Sequence, residues 1–216
     1  MAIGAYYKVF DGELQTIAQQ ETFVIDGEDV TVPVEVRAIG ENSSKIYGFE
    51  TTVSHAFDYL PGLWSGLGFK ASYNFADSDF ETQDGNFGEV TQFDSDGNPT
   101  VLSAIIPPVS LQGLSRHTAS GQLYYNIGKL DLTGIVKHRS RYFQPGTSNP
   151  TTIRLIDTAT TVDARASYKL NDNIKLSLEG TNLTNEARTH LNPTEDNFAE
   201  LNVYGPRYTL GLTAKF

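Results

Sequence analysis

Cysteine is absent from the 216 residues, methionine and tryptophan occur once each, and no uncharged apolar run reaches 18 residues. The missing cysteines exclude a disulfide scaffold, a thiolate zinc site, an iron–sulfur cluster and a cysteine nucleophile. The missing apolar run excludes a transmembrane helix, and it leaves no signal-peptide core behind Met1. Bases are scarce too: Lys and Arg number 16 against 26 Asp and Glu, for a net charge of −10. A general nucleic-acid binder needs a basic face to displace phosphate counterions, so nucleic acid is not expected as a partner. The length suits one domain with a sizeable core, or two small ones. What the chain does hold is 11 Tyr and 12 Phe, although its mean hydropathy is slightly negative. Strands that set an apolar face against a polar one produce such averages, so hydropathy leaves a membrane barrel open.

Period two dominates, with no convincing helical stripe. Tyr47, Phe49, Thr51, Val53 and Phe57 alternate with Gly48, Glu50, Thr52, Ser54 and Ala56. Leu67, Phe69, Ala71, Tyr73 and Phe75 alternate with Gly68, Lys70, Ser72 and Asn74. The same reading covers Leu130 to Arg139, Val162 to Leu170, Ile174 to Glu179 and Tyr208 to Phe216, and less cleanly Ile3 to Phe10 and Thr118 to Tyr125. About eight antiparallel strands are predicted. The face carrying Phe49, Val53, Phe69, Tyr73, Leu132, Val136, Leu176, Leu178, Leu210 and Leu212 is expected to point outward.

Connections decide the architecture. Short joins are expected near Asp58 to Ser65, Asn126 to Lys129 and Asn171 to Asn173, and long ones near 11–43, 77–115, 143–160 and 183–204. This long–short alternation places all turns at one end of a barrel wall and all loops at the other. Charge sorts with the loops. They hold 20 of the 26 acids but only Arg37, Arg154 and Arg188 among the bases, so they sum to −17 and the rest to +7. Each loop alone reads as a solvated surface, but together they make one end acidic. Two loops contain hairpin signals, Thr22 to Val36 around Asp26-Gly27 and Val90 to Leu102 around Asp96-Gly97.

Few motifs carry chemistry. Gly66-Leu67-Gly68-Phe69-Lys70-Ala71 matches a dinucleotide turn in letters, but it opens a period-two strand where that motif must open a helix. Asp94-Ser95-Asp96-Gly97-Asn98 has its glycine two positions early for a calcium loop and no closing Glu, which favours a hairpin turn. His55, His117, His138 and His190 show no two-histidine metal spacing. Lys137, Arg139 and Arg141 form either a basic rung able to hold an anion or, the favoured reading, partners for inner-face acids such as Glu50, Asp163 and Glu179. No nucleophile–base arrangement stands out. No catalytic residue, metal or cofactor is therefore expected, and the chain is not expected to be an enzyme.

Several segments resemble the last strands of TonB-dependent outer-membrane receptors, in order and spacing. They are Ile46-Tyr47-Gly48-Phe49-Glu50, Tyr59-Leu60-Pro61-Gly62, Leu114-Ser115-Arg116-His117, Arg139-Ser140-Arg141-Tyr142, Glu179-Gly180-Thr181-Asn182-Leu183-Thr184-Asn185-Glu186, and Tyr204-Gly205-Pro206-Arg207-Tyr208 with a strand ending in Phe216. The resemblance implies that residues 1–216 are the C-terminal wall of a 22-stranded transmembrane β-barrel, with plug domain, TonB box and signal peptide absent from this sequence. It implies an outer-membrane location in a Gram-negative bacterium and TonB-dependent uptake of a siderophore chelate, cobalamin or an oligosaccharide. The implied partners are outer-membrane lipid and lipopolysaccharide, the TonB complex through the missing N-terminal region, the barrel-assembly machinery and a small nutrient ligand. Tyr208, Leu210, Leu212, Ala214 and Phe216 would form the assembly signal. Position alone makes inner-face residues Glu50, Lys137, Arg139 and Arg165 candidate ligand contacts. A complete eight-stranded barrel with structural or adhesive loops is the alternative, and a secreted β-sandwich or carbohydrate-binding module comes third.

Overall fold

The computed structural model describes residues 1–11, 14–39, 43–79, 90–93, 99–102, 111–144, 154–192 and 198–215. Eight long strands carry the architecture: β1 (Ala2–Asp11), β4 (Ser43–Ala56), β5 (Leu67–Ser78), β8 (His117–Ile127), β9 (Leu130–Arg139), β12 (Ala159–Lys169), β13 (Ile174–Thr181) and β16 (Arg207–Ala214). They form one antiparallel sheet in the order β1-β4-β5-β8-β9-β12-β13-β16. Each strand pairs with the wall strand before it in sequence, as an up-and-down wall requires. The remaining strands belong to the loop end. β2 (Leu14–Ile25) pairs with β3 (Glu28–Ile39), and β6 (Val90–Phe93) pairs with β7 (Pro99–Leu102). β10 (Tyr142–Phe143), β11 (Leu155–Ile156), β14 (Arg188–Leu191) and β15 (Phe198–Asn202) form a small sheet of their own.

Register explains why the two faces of the wall differ. Directly opposed residues share a face, and a slip by one residue would exchange the faces. Phe75 lies opposite Phe49, Ala71 opposite Val53, Val136 opposite Val162, Leu132 opposite Ala166 and Leu178 opposite Leu210. Every one belongs to the apolar set, which therefore forms a continuous outward surface. Its larger members remain open to the surroundings: Phe49 is 43% exposed, Leu178 51% and Leu210 79%. Phe69 and Tyr73 are half-buried among aromatic neighbours. Among the described residues no second sheet covers this face. Among the described residues the buried apolar ones are Ala76, Leu155, Ile156 and Leu191. The accessible surface of 14709 Å² compares with roughly 9,800 Å² for a globular protein of this mass. The β-sandwich alternative fails on this point.

The eight-stranded barrel alternative fails on another. β1 and β16 both stand at edges of the sheet and do not pair with each other. The structure is an open wall.

Turn chemistry sits where the sequence placed it. Asp26 and Gly27 have φ of 55° and 85°, the two left-handed positions of a tight hairpin turn, which Asp-Gly adopts at little cost. That hairpin runs from Leu14 to Ile39, longer than the predicted Thr22 to Val36, because its register continues unbroken to Leu14 opposite Ile39. On the inner face the ring of Tyr6 covers Gly48, which lies directly opposite it. A Cβ on Gly48 would meet that ring and the Phe75 carbonyl oxygen, so this position in Tyr47-Gly48-Phe49-Glu50 needs the bare backbone. The Asp94–Asn98 turn and Phe216 lie outside the described residues.

Candidate functional site

Alternation makes the inner face polar. Asp131, Lys137, Asp163, Arg165, Lys175 and Glu179 all project from the side opposite the apolar set, by their opposed pairings. Desolvated charges require partners, and two pairs form here, one between the neighbouring strands β9 and β12 and one from β13 across β12 to β9. Lys137 Nζ donates to Asp163 Oδ2 at 2.8 Å, and Lys175 lies 3.5 Å from Asp131. Both pairs are partly open, so each contributes at most about 1 kcal/mol and serves mainly to order the face.

The loop end of β9, β12, β13 and β16 holds the concavity with chemistry. A pocket of about 520 Å³ is lined by Arg139, Tyr142, Asp157, Glu186, Arg188 and Arg207, with Asn182 and Tyr204 also on its wall. A second concavity, about 540 Å³, lies against the outward face among Leu123, Tyr125, Leu132, Leu178 and Tyr208. Its lining is mostly hydrocarbon, with Arg165 and Thr133 at its border, and offers little to orient a polar solute, so it belongs with the lipid-type surface.

A side-chain latch shapes the first pocket. The chain leaves β13 at Thr181 and turns through Asn182, whose φ is 54°. The backbone N–H of Asn182 donates to Asp163 Oδ1 at 2.9 Å, and Leu183 N–H donates to the Val162 carbonyl at 2.8 Å. The Asn182 amide then spans the turn, donating to the Glu186 carbonyl at 3.0 Å and accepting from Glu186 N–H at 2.8 Å. Glu186 Oε1 in turn accepts from the backbone N–H of Thr160 at 3.0 Å. This accounts physically for Asn182-Leu183-Thr184-Asn185-Glu186: Asn tolerates the left-handed backbone and supplies both a donor and an acceptor. The outcome is an Arg188 presented at the pocket from a fixed turn. Replacing Asn182 by Ala should lower folding stability by about 2–3 kcal/mol, from two lost hydrogen bonds and a strained φ. Asn182→Gly should recover roughly 1 kcal/mol of that. Denaturant midpoints in detergent micelles measure both.

The structure separates the four residues named from sequence. Glu50 opposes Asn74, which opposes Thr118, which opposes Arg139. Glu50 and Arg139 thus share a row but stand three strands apart, about 14 Å at ordinary strand spacing. Lys137 is paired with Asp163, and Arg165 is exposed further toward the short-turn end. Of the four, Arg139 alone lines the pocket. It donates from Nε to Ser115 Oγ and from Nη2 to the Gly113 carbonyl, both at 2.6 Å, and its guanidinium lies 3.6 Å from the Tyr142 ring centre. Arg141 instead holds Asp157 at 3.1 Å. Sequence reasoning passed over Arg188 and Arg207. The charge count carried a signal for the first, one of three bases in the acidic loops, and alternation placed the second opposite the apolar Tyr208. Among the described residues no group of three or more His, Asp or Glu could hold a metal ion.

The family model described as TonB dependent receptor-like, beta-barrel, matches residues 1–183. No curated protein sequence matches significantly. The solved structure of the siderophore receptor PirA from Acinetobacter baumannii superposes with a TM-score of 0.51 at 15% sequence identity, over 99% of this chain and 30% of that one. At that identity the likeness is one of fold. The chain spans about a third of the length of that receptor.

Proposed function

This chain belongs to the TonB-dependent receptor family of β-barrels, and from that premise we propose that residues 1–216 form the C-terminal wall of a larger outer-membrane barrel serving TonB-dependent uptake of a small nutrient. The observation that carries the reading is the open antiparallel wall, apolar outside, polar inside, with a polar pocket at the loop end of its inner face. An open edge leaves a row of backbone groups unpaired, each costing several kcal/mol in lipid. β1 and β16 therefore call for further strands to close the barrel. A plug domain and a TonB-contacting segment would belong to the N-terminal region of such a receptor. The location is the outer membrane of a Gram-negative bacterium, with lipid and lipopolysaccharide against the outward face. Ligand is met at the inner face, and no catalysis is required of it.

Siderophore chelates, cobalamin and oligosaccharides are the substrate classes to test. The test is uptake of labelled members of each class by cells with and without the full-length receptor. Uptake of one class that needs the receptor, and that stops when the proton gradient is dissipated, supports the reading. Receptor-independent uptake of every class overturns it.

The last strand also serves assembly. Tyr208, Leu210, Leu212 and Ala214 alternate on the exposed edge strand β16, and an extended segment with one apolar face can add to a sheet edge through main-chain hydrogen bonds. We assign Tyr208, Leu210, Leu212, Ala214 and Phe216 as the signal read by the barrel-assembly machinery. Deleting Phe216 from the full-length receptor should lower its outer-membrane level at equal synthesis and export. Wild-type membrane yield of the deletion variant would count against the signal.

A further inference from the structure

Among the described residues, two arginines at the loop end of the wall pair with no acid. Arg188 on β14 and Arg207 at the start of β16 line the same pocket of about 520 Å³. Both are exposed, and among the described residues neither side chain makes a hydrogen bond or ion pair. Neither acid on the pocket lining pairs with them. Asp157 is held by Arg141 at 3.1 Å and accepts from the Thr158 backbone N–H at 2.8 Å. Glu186 accepts from Thr160 N–H and is fixed through its backbone by Asn182. Arg139, the third guanidinium on the lining, spends its Nε and Nη2 donors on Ser115 and Gly113. The pocket thus brings together two cations with open donor forks, an Asp157 already paired with Arg141, and a Glu186 whose carboxylate is tied to the Thr160 backbone rather than to either arginine. In a chain of net charge −10, two unanswered like charges at one cavity are conspicuous, because they repel each other until an anion joins them.

We propose that this pocket is a binding site for an oxyanion, a carboxylate or phosphate group of a small solute, held between Arg188 and Arg207. The proposal rests on reading the inner face as the ligand-facing side of a receptor. A planar guanidinium presents paired N–H donors that match two oxygens of either group, giving direction as well as charge. Tyr142 and Tyr204 add aromatic surface on which the body of the solute can pack. The acidic loops, −17 in sum, repel polyanions at long range. Selection is therefore for a local oxyanion on a small molecule. Arg139 positions Tyr142 and the Gly113–Ser115 segment, while the two free arginines bind.

Calorimetric titration of the full-length receptor in detergent, with inorganic phosphate and glutarate as probes and glucose as the neutral control, tests this. Both anions should bind in the millimolar range and glucose should not. Arg188→Ala and Arg207→Ala should each weaken anion binding about tenfold, the size expected for lost charge-assisted hydrogen bonds, and the double variant should abolish it. Arg188→Lys should fall between wild type and Arg188→Ala, since it keeps the charge and loses the fork. Lys70→Ala, on the inner face away from the pocket, should titrate as wild type. Anion affinity unchanged in both alanine variants, no anion binding by the wild type, or equal binding of glucose would each overturn the site. Because the titration needs no energised membrane, its failure is distinct from a failure of uptake.

Discussion

Arginine in place of Leu178 should cost the protein about 2–4 kcal/mol of folding stability in a lipid bilayer, and arginine in place of Ser177 well under about 1. The two residues are adjacent in sequence and lie on opposite faces of β13. Leu178 faces outward between Ala166 and Leu210, 51% exposed. A guanidinium there must sit in hydrocarbon or bend to the interface. Ser177 faces inward between Ser167 and Gly211, where a long cationic side chain reaches water beside Lys175 and Asp131. Urea unfolding of the full-length receptor in short-chain lipid vesicles would give both values. Equal costs, or a larger cost at Ser177, would mean that the apolar face is not the lipid face.

The fluorescence of Trp64 should shift to shorter wavelength when the full-length receptor inserts into vesicles. It should be quenched strongly by bromines placed high on the acyl chains and weakly by bromines near the bilayer centre. Trp64 is the single tryptophan of this chain, so other tryptophans in the receptor must first be replaced by Phe. It lies on the 3-10 turn Gly62–Gly66 between β4 and β5, 64% exposed, with Leu63 at 69% and Tyr59 at 68%. Next to them His55, Phe57 and Phe69 form a ring cluster, with His55 and Phe57 centroids 4.9 Å apart. An apolar turn so exposed is unfavourable in water. It suits the membrane–water boundary, where an indole buries its body and leaves its N–H wet. Emission unchanged on insertion, or quenching deepest at the bilayer centre, would remove this turn from the interface.

The motifs taken singly from sequence meet in space. Arg139 and Tyr142, Asn182 and Glu186, and Tyr204 and Arg207 come from three separate segments and line one pocket. Alternation could do no more than place Arg139 and Arg207 on the inner face, since the period-two rule carries no information beyond the strand. That Arg139 would turn to Ser115 and Gly113 depended on where residues 113–115 return after a long connection. The same holds for the sheet of β10, β11, β14 and β15, whose strands of two to five residues are too short to show a period. His190, on β14, is buried there, with its Nδ1 3.9 Å from Glu200, a contact no spacing in the sequence foretold.

The eight wall strands, their inward and outward faces, the short-turn and long-loop ends, and the acidity of the loops were all legible in the sequence. These properties are local: each follows from which side of a pleat a residue occupies or from the φ that a turn demands. Tertiary structure alone decided that the eight strands leave the sheet open, that Lys137 pairs with Asp163, and that Arg188 and Arg207 share a pocket while Glu50 stands three strands from Arg139. Those outcomes depend on register and on the return paths of loops, where residues distant in sequence become neighbours and compete for the same partners.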